Sequence, residues 1–492
     1  MQYLEGVEIN MSSETASKNR IYYINLVIYM LLTFGIGFLP PFGAITELGM
    51  KCLGVFIGSI YGWLTLGIIF PSLFSMLALA LVGFTGVQQA YVDGFAYYLV
   101  PMMIVIFIFS GAIATTGVTT WLTEWLMSRK IIIGRPWILV AVLLLGMELL
   151  SVLQAQWVGL FMLWEMVVVL SKEAGYEKRN PFLTFMIPAL MVVYITASYM
   201  FPFFSGQIMY LGFYAQGMQS SIPELPLIIW EIVMINLYVV FILLVAKFIL
   251  KLDLSKIGAA SEIYRDKKCP AMTRDQKFGL ALLVGFLVVM LLPIILPDEL
   301  VFIQQIKTLG IMGMLTIILS ILSGLRKKDG TPYADLQKAA HTIPWEVIWL
   351  LVASTPLAAA FNAEECGIMA TLMGFLTPIL TNMDGILFII ICTIVIGIIT
   401  QFVHNLIVAI VLLPILCPLF ASMGGNPATL YMCLVWALTF AFATPAASMN
   451  AALIFGHSSL SSKDGYVNGI MHLVLALILA ILVGIPLGNL IF

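Results

Sequence analysis

Two polar stretches interrupt long apolar runs and carry residue types able to handle ions away from water. They are Gln401-Phe402-Val403-His404-Asn405 and Thr444-Pro445-Ala446-Ala447-Ser448-Met449-Asn450. A helix broken inside an apolar run exposes orphan N–H groups on one half and orphan C=O groups on the other. The first set favours an anion and the second a cation, at a depth where water cannot do the work. Asn405 adds a carbonyl acceptor and an amide donor, and Pro445 frees a backbone carbonyl by lacking an N–H. These breaks make Asn405, Thr444 and Ala447 candidates to hold a cation through backbone or side-chain oxygens. His404, Asn405, Ser448 and Asn450 become candidates for the substrate. A plainer reading stands beside this one: Gln401 and Asn405 cap a kink, and the hydroxyls bond back to the preceding helical turn.

A third polar break, Gln154-Ala155-Gln156, lies earlier in the chain and adds Gln156 to the substrate candidates, although the bulky Trp157 beside it fits packing equally well. Two carboxylates, Glu148 and Glu165, stand inside apolar sequence, where an ionisable group is costly and usually functional. With His404 they are the proton-coupling candidates; a water-facing or structurally paired role remains open for each.

The elements that must position these residues are membrane helices. Of 492 residues, 62% are hydrophobic and 10% charged, against roughly 25% charged in soluble proteins. Such a chain cannot cover itself with polar surface, so the lipid bilayer is its solvent. The net charge of −2 gives no basic excess for nucleic acid. Six scattered cysteines form no CxxC pair, so neither a disulfide framework nor a zinc site is indicated. Residues 1–20 read as a cytoplasmic tail. Basic clusters precede the first span and recur at 129–135, 172–179, 251–277, 326–338 and 463, while the loops at 85–97, 215–224, 297–299 and 421–426 contain no Lys or Arg. The positive-inside rule then puts each basic cluster in the cytoplasm, with the N-terminus cytoplasmic and the C-terminus external in a plasma (inner) membrane.

That rule creates a contradiction for 136–170. Both its ends are basic, and one crossing helix cannot have two cytoplasmic ends. Some 35 residues broken at 154–156 instead fit a hairpin that enters and leaves on one face. The run 385–420, bounded by loops without lysine and broken at 401–405, fits a hairpin from the opposite face. Each is followed by an interrupted helix, 181–214 and 427–456. The expected organisation is thus a first half (21–250), a cytoplasmic loop (251–277) and a second half (278–492) ending in a last helix at 467–491. In fold class this is an all-α polytopic membrane protein with about 11 transmembrane helices and two re-entrant hairpins in inverted repeats. No GxxxxGK[ST] run, HExxH or Arg-rich span occurs, so no ATP motor, zinc protease or voltage sensor is expected, and no enzyme activity or cofactor.

The stretch from Thr400 to Pro414 resembles the second hairpin of the divalent-anion/sodium symporter family, the di- and tricarboxylate and sulfate carriers of the ion-transporter superfamily. There a Ser-Asn-Thr tip precedes aliphatic residues and Leu-Pro; Asn405 matches the Asn, while His404 and Leu406 replace its neighbours. The run Phe442 to Gly456 resembles the family's second substrate and cation loop, and Ile343-Pro344-Trp345-Glu346 its entry to the preceding helix. The first half matches by layout only: Ala155-Gln156-Trp157 stands where the first Ser-Asn-Thr belongs. The resemblance implies a cation-coupled carrier, driven by sodium or a proton, for a small anion such as a dicarboxylate. It also implies elevator-type alternating access and a homodimer. Two rivals are a cation/proton antiporter of the same superfamily, in which Glu165 would titrate, and a non-transporting membrane receptor or intramembrane enzyme.

Overall fold

The computed structural model describes residues 20–153, 156–265, 269–327, 329–341, 343–380, 383–445 and 447–492. In chain order its helices are α1 (Arg20–Phe38), α2 (Glu47–Thr65), α3 (Ile69–Leu81), α4 (Val87–Ala96), α5 (Leu99–Thr115), α6 (Val118–Met127), α7 (Pro136–Val152) and α8 (Gln156–Glu173). There follow α9 (Pro181–Ala197), α10 (Ser205–Met218), α11 (Glu224–Ile249), α12 (Ser255–Ala260), α13 (Arg274–Ile295), α14 (Val301–Gly324) and α15 (Leu336–Ala340). The last are α16 (Trp345–Asn362), α17 (Ile368–Leu380), α18 (Gly385–Ile399), α19 (Asn405–Ser422), α20 (Pro427–Thr439), α21 (Met449–Gly456) and α22 (Ser462–Ile491).

Among the described residues, eight helices are long and apolar enough to cross a membrane, or nine if α4 and α5, bent by 53° at their junction, count as one span. The expected number was about 11. The difference comes from breaks that cut apolar runs into pieces of 10–17 residues: α3, α7, α9, α18 and α20. A crossing needs about 20 residues. The run at 98–127 likewise divides, at Gly117, whose φ of 72° no other residue type adopts without strain. The fold is that of a polytopic, all-helical membrane protein.

The chain forms two compact units, each drawn from two separate stretches of the sequence. The first comprises the described residues up to 104 together with 344–383. In it α16 packs on α2, α3 and α4. Gly94 lets α4 touch α16 closely, since a Cβ there would lie 2.4 Å from the Val352 carbonyl oxygen.

The second unit, 105–343 with 384–492, holds both broken helix pairs. A Cβ on Gly159 would stand 3.2 Å from the Cβ of Leu150. Nine residues of continuous helix would separate those positions by about 13 Å, so α8 folds back on α7. In the second pair Phe388 and Phe420 stack at 5.0 Å and 4°, and 32 residues of rod could not bring them together. α18 and α19 therefore also form a hairpin.

The helix after each hairpin opens on the same two residues. Asn180 caps α9 by accepting from the Leu183 N–H, with Pro181 at the first helical position. Asn426 caps α20 by accepting from the Ala428 N–H, with Pro427 in the same place. An Asn cap followed by Pro suits a helix start because the proline's missing N–H is one no carbonyl would have received. Each of these helices then breaks, at 198–204 and at 440–448, and resumes as α10 and α21. This duplicated Asn-Pro is a repeat signal that the sequence reading passes over.

Candidate functional site

The tip of the second hairpin and the break between α20 and α21 are bonded to each other through one side chain. Gln401, 4% exposed, donates from Nε2 to the carbonyls of Gly397 (2.8 Å) and Phe440 (3.0 Å). Its Oε1 accepts from the N–H groups of Phe442 (3.1 Å) and Ala443 (2.8 Å). Two donors and two lone pairs are all that a primary amide has. Gln401 is thus a bracket with nothing left for a ligand, and it satisfies three backbone groups that the broken helix orphans. The Thr444 hydroxyl completes the clamp by donating to the Gln401 carbonyl.

Asn405 opens α19, and its backbone N–H crosses to the Ala447 carbonyl at 3.2 Å. Its Nδ2 reaches the Leu438 carbonyl at a long 3.4 Å, and its Oδ1 accepts from the Leu406 N–H at 2.9 Å. The same N–H is shared with Nδ1 of His404, the N-cap residue, at 3.3 Å. Ser448 donates to the Ala441 carbonyl at 2.8 Å and caps α21 by accepting from the Ala451 N–H at 3.0 Å. Asn450, in the first turn of α21, has a buried Oδ1 with no hydrogen-bond partner among the described residues. Of the sequence candidates, His404, Asn405, Thr444, Ala447 and Ser448 therefore converge on one knot of backbone, with Asn450 at its edge. Ala446 lies outside the described residues.

α22 closes this knot from another side. A Cβ on Gly469 would lie 2.4 Å from both the Ala443 Cα and the Phe442 oxygen, so glycine alone lets the helix backbone reach the broken segment. One turn on, His472 Nδ1 and the Tyr238 hydroxyl of α11 meet at 2.5 Å in a fully buried pair.

The remaining candidates are elsewhere. Gln154 and Ala155 lie outside the described residues, as does the side chain of Gln156. Glu148 is buried and accepts from Nδ2 of Asn236 on α11 at 3.3 Å. Glu165 is exposed on α8, beside His457, whose ring stands edge-on to Trp164 at 5.2 Å. Among the described residues neither acid hydrogen-bonds to the 400–405 or 440–450 segments.

Three polar groups escape the sequence reading. Glu231 lies on α11 at 2% exposure, flanked by Trp230 and Ile232; its signal, an acid in an apolar run, equals that of Glu148 and was there to be read. Gln207 of α10 is fully buried with neither amide atom bonded among the described residues. The His472–Tyr238 pair joins residues 234 apart, which no local pattern announces.

No family model matches the chain. Curated relatives do. Over 148 residues it is 28% identical to the rat Na(+)/dicarboxylate cotransporter 3 and 29% identical to the human protein of that name. The match takes in 30% of this chain, and the chain spans about a quarter (24%) of the length of these relatives. The chain resembles, distantly and in part, the sodium/dicarboxylate cotransporters. Its fold is shared more widely: the crystal structure of the YdaH transporter of Alcanivorax borkumensis superposes with a TM-score of 0.57 over 82% of this chain and 87% of that one. At 14% identity that likeness is one of fold alone. The resemblance to divalent-anion/sodium symporters read from residues 343–491 thus meets an independent, distant similarity to members that carry dicarboxylate in their name.

Proposed function

We propose that this protein is a cation-coupled secondary transporter of a small anion such as a dicarboxylate, working by alternating access around the knot formed by the 400–405 tip and the 440–448 break. The observation that carries the reading is the cross-bonding of those two interrupted helices by Gln401 and by Asn405 to Ala447. Irregular backbone within apolar helices is tolerated where it lines a polar cavity or is buried in protein, and a carrier site is the commonest reason for such a pair. The named activity of the cotransporters it resembles supports a dicarboxylate and sodium.

Within the knot, sodium would be held by the Thr444 hydroxyl oxygen, the Ala447 carbonyl and the Asn405 Oδ1. Each retains a lone pair beyond its hydrogen bonds. The anion would follow, drawn to the bound cation, the N-terminal ends of α19 and α21, His404, Ser448 and Asn450, with Gln156 completing the site from the first hairpin. The duplicated order of hairpin, Asn-Pro cap and broken helix supports inverted repeats and hairpins that are re-entrant. The division into two compact units, each built from two separate stretches of the sequence, supports a scaffold and a moving carrier, and so an elevator motion; a homodimer belongs to the same proposal. A plasma-membrane location with a cytoplasmic N-terminus and an external C-terminus belongs to the same proposal. The antiporter alternative, centred on Glu165, has no comparable support, because that acid is exposed on α8.

The test is uptake of labelled succinate and sulfate by proteoliposomes under imposed sodium or proton gradients. Gradient-driven uptake that Thr444→Val reduces at least tenfold is the expected result. Uptake indifferent to both gradients across a panel of anions would remove the reading.

A further inference from the structure

Glu231 and Glu148 are the buried acids among the described residues, and Glu231 is the deeper of the two. Its helix is fixed there by Trp230, whose Nε1 donates to the Gly484 carbonyl of α22 at 2.9 Å. The electrostatic neighbours of the Glu231 carboxyl are Tyr199, in the break between α9 and α10, and Tyr431, on α20. Tyr199 and Tyr210 of α10 pack ring against ring with centroids 5.3 Å apart, and Tyr210 has Tyr431 as an electrostatic neighbour. The Tyr431 hydroxyl is buried and has no hydrogen-bond partner among the described residues.

From the other elements packed on α11, α7 brings Glu148, which faces Asn236, and α22 brings His472, which faces Tyr238. Residues 278–295 of α13 and 475–491 of α22 contain no titratable side chain. No ion pair to Glu231 occurs among the described residues.

We propose that Glu231, with Tyr199, Tyr210 and Tyr431, forms a proton-binding site whose occupancy changes during the transport cycle. An unpaired carboxylate in an apolar interior is costly, so the group must carry a proton or meet a cation. A metal cation would need a shell of several oxygens, whereas one buried carboxyl with only neutral phenols as electrostatic neighbours suits a proton. The step is a simple one: a carboxylate oxygen takes a proton from water on one side, forming an O–H bond, and returns it to water on the other. Two of the tyrosines come from the two broken helices that alternate access would rearrange, so moving either one changes what surrounds the acid. The inference rests on the transport reading and adds a proton, at a second site, to the cation held in the knot.

Two experiments test it. Dicyclohexylcarbodiimide labels protonated carboxyls in apolar surroundings, and mass spectrometry of the purified protein should find Glu231 modified at pH 6. The modification should fade as pH rises, and Tyr431→Phe, which keeps the acid, should displace that pH midpoint by removing one facing hydroxyl. In proteoliposomes, an inward proton gradient should accelerate succinate uptake, and Glu231→Gln, once size-exclusion chromatography shows it folded, should lose that acceleration at least tenfold. An unlabelled Glu231, or a Glu231→Gln protein whose response to the proton gradient equals the parent's, would overturn the proposal. Uptake driven by sodium alone would also overturn it while leaving the transport reading intact. If the parent moves no anion under any gradient, the transport reading is what fails, and with it the coupling role; labelling then still reports whether Glu231 holds a proton.

Discussion

The two hairpin-and-broken-helix regions follow one order of elements and solve the same physical problem in different ways. In the second, four backbone groups at 440–443 are bonded to side chains: Gln401 takes three of them and the Ser448 hydroxyl takes the carbonyl of Ala441. In the first, the break at 198–204 is closed by backbone turns and aromatic packing, with no side-chain bracket from the hairpin tip among the described residues. Phe201 and Phe203 stack and both meet Phe204 edge-on, at 5.1–5.4 Å, Phe204 caps α10 with no side-chain hydrogen bond, and Gln207 is buried with its amide unbonded among the described residues. The difference teaches that topology and site chemistry are separable. One half keeps a polar knot bonded by side chains, while the other keeps the shape with aromatic filling.

The comparison breaks most easily at Gln401. Replacing it with Leu leaves the Ala443 N–H buried and unbonded, and leaves the Phe442 N–H and the Phe440 carbonyl only their 3.1 Å bond to each other; an orphaned buried group costs about 1–3 kcal/mol. A loss of about 3 kcal/mol is expected, seen as a large fall in the midpoint of thermal unfolding in detergent and as abolished uptake. Gln401→Glu should not recover it at neutral pH, because a buried carboxylate still accepts from both N–H groups but has no donor for the Gly397 and Phe440 carbonyls. If Gln401→Leu melts like the parent, the knot is not held by this side chain.

Gly469→Ala comes next. The added methyl would sit 2.4 Å from backbone atoms of residues 442 and 443, which no rotamer change relieves. Overpacking of this kind costs about 1–3 kcal/mol. Because it displaces the knot itself, uptake should fall further than the melting midpoint suggests. The control is Gly285→Ala on α13, where no atom lies within 4 Å, and which should leave both unchanged.

How much of this was legible in residues follows from what each feature depends on. The second hairpin could be read because lysine-free loops bound it and Gln401, His404 and Asn405 are the polar residues at its centre. The convergence of 400–405 with 440–450 was expected from Asn405, Thr444 and Ser448 standing at breaks in two apolar runs. What could not be read was which of them holds the structure together. Gln401 looked like one tip residue among several, and only the positions of Phe440, Phe442 and Ala443 reveal a bracket. The number of spans was overestimated because hydropathy measures the length of an apolar run and is blind to a break such as Gly117, whose effect is a single dihedral angle. Gly469 and the His472–Tyr238 pair depend on contacts across more than 20 and more than 200 residues, beyond the reach of any local pattern.

Ser448→Ala tests the polar half more gently. It removes one N-cap, worth about 1 kcal/mol, together with the bond that holds the Ala441 carbonyl. A modest fall in the melting midpoint is expected, with a larger proportional loss of uptake if Ser448 also meets the substrate. Equal losses in both would confine Ser448 to capping.

The smallest effect is expected at Gln207, and it bears most directly on the contrast between the halves. A buried amide without partners gains nothing from its polarity, and replacing such a group by an apolar one of similar shape is close to neutral. Gln207→Leu should therefore change stability by less than about 0.5 kcal/mol, in sharp contrast to Gln401→Leu. A loss of 2 kcal/mol or more would mean that the amide does have a partner, supplied by the protein or by a bound solute. The order of addition separates those two sources. A partner in the protein stabilises Gln207 in buffer alone, whereas a solute does so only when succinate or sodium is present, in proportion to its occupancy. In the second case the first half would carry a site of its own, and the division into a bonded half and a packed half would have to be given up.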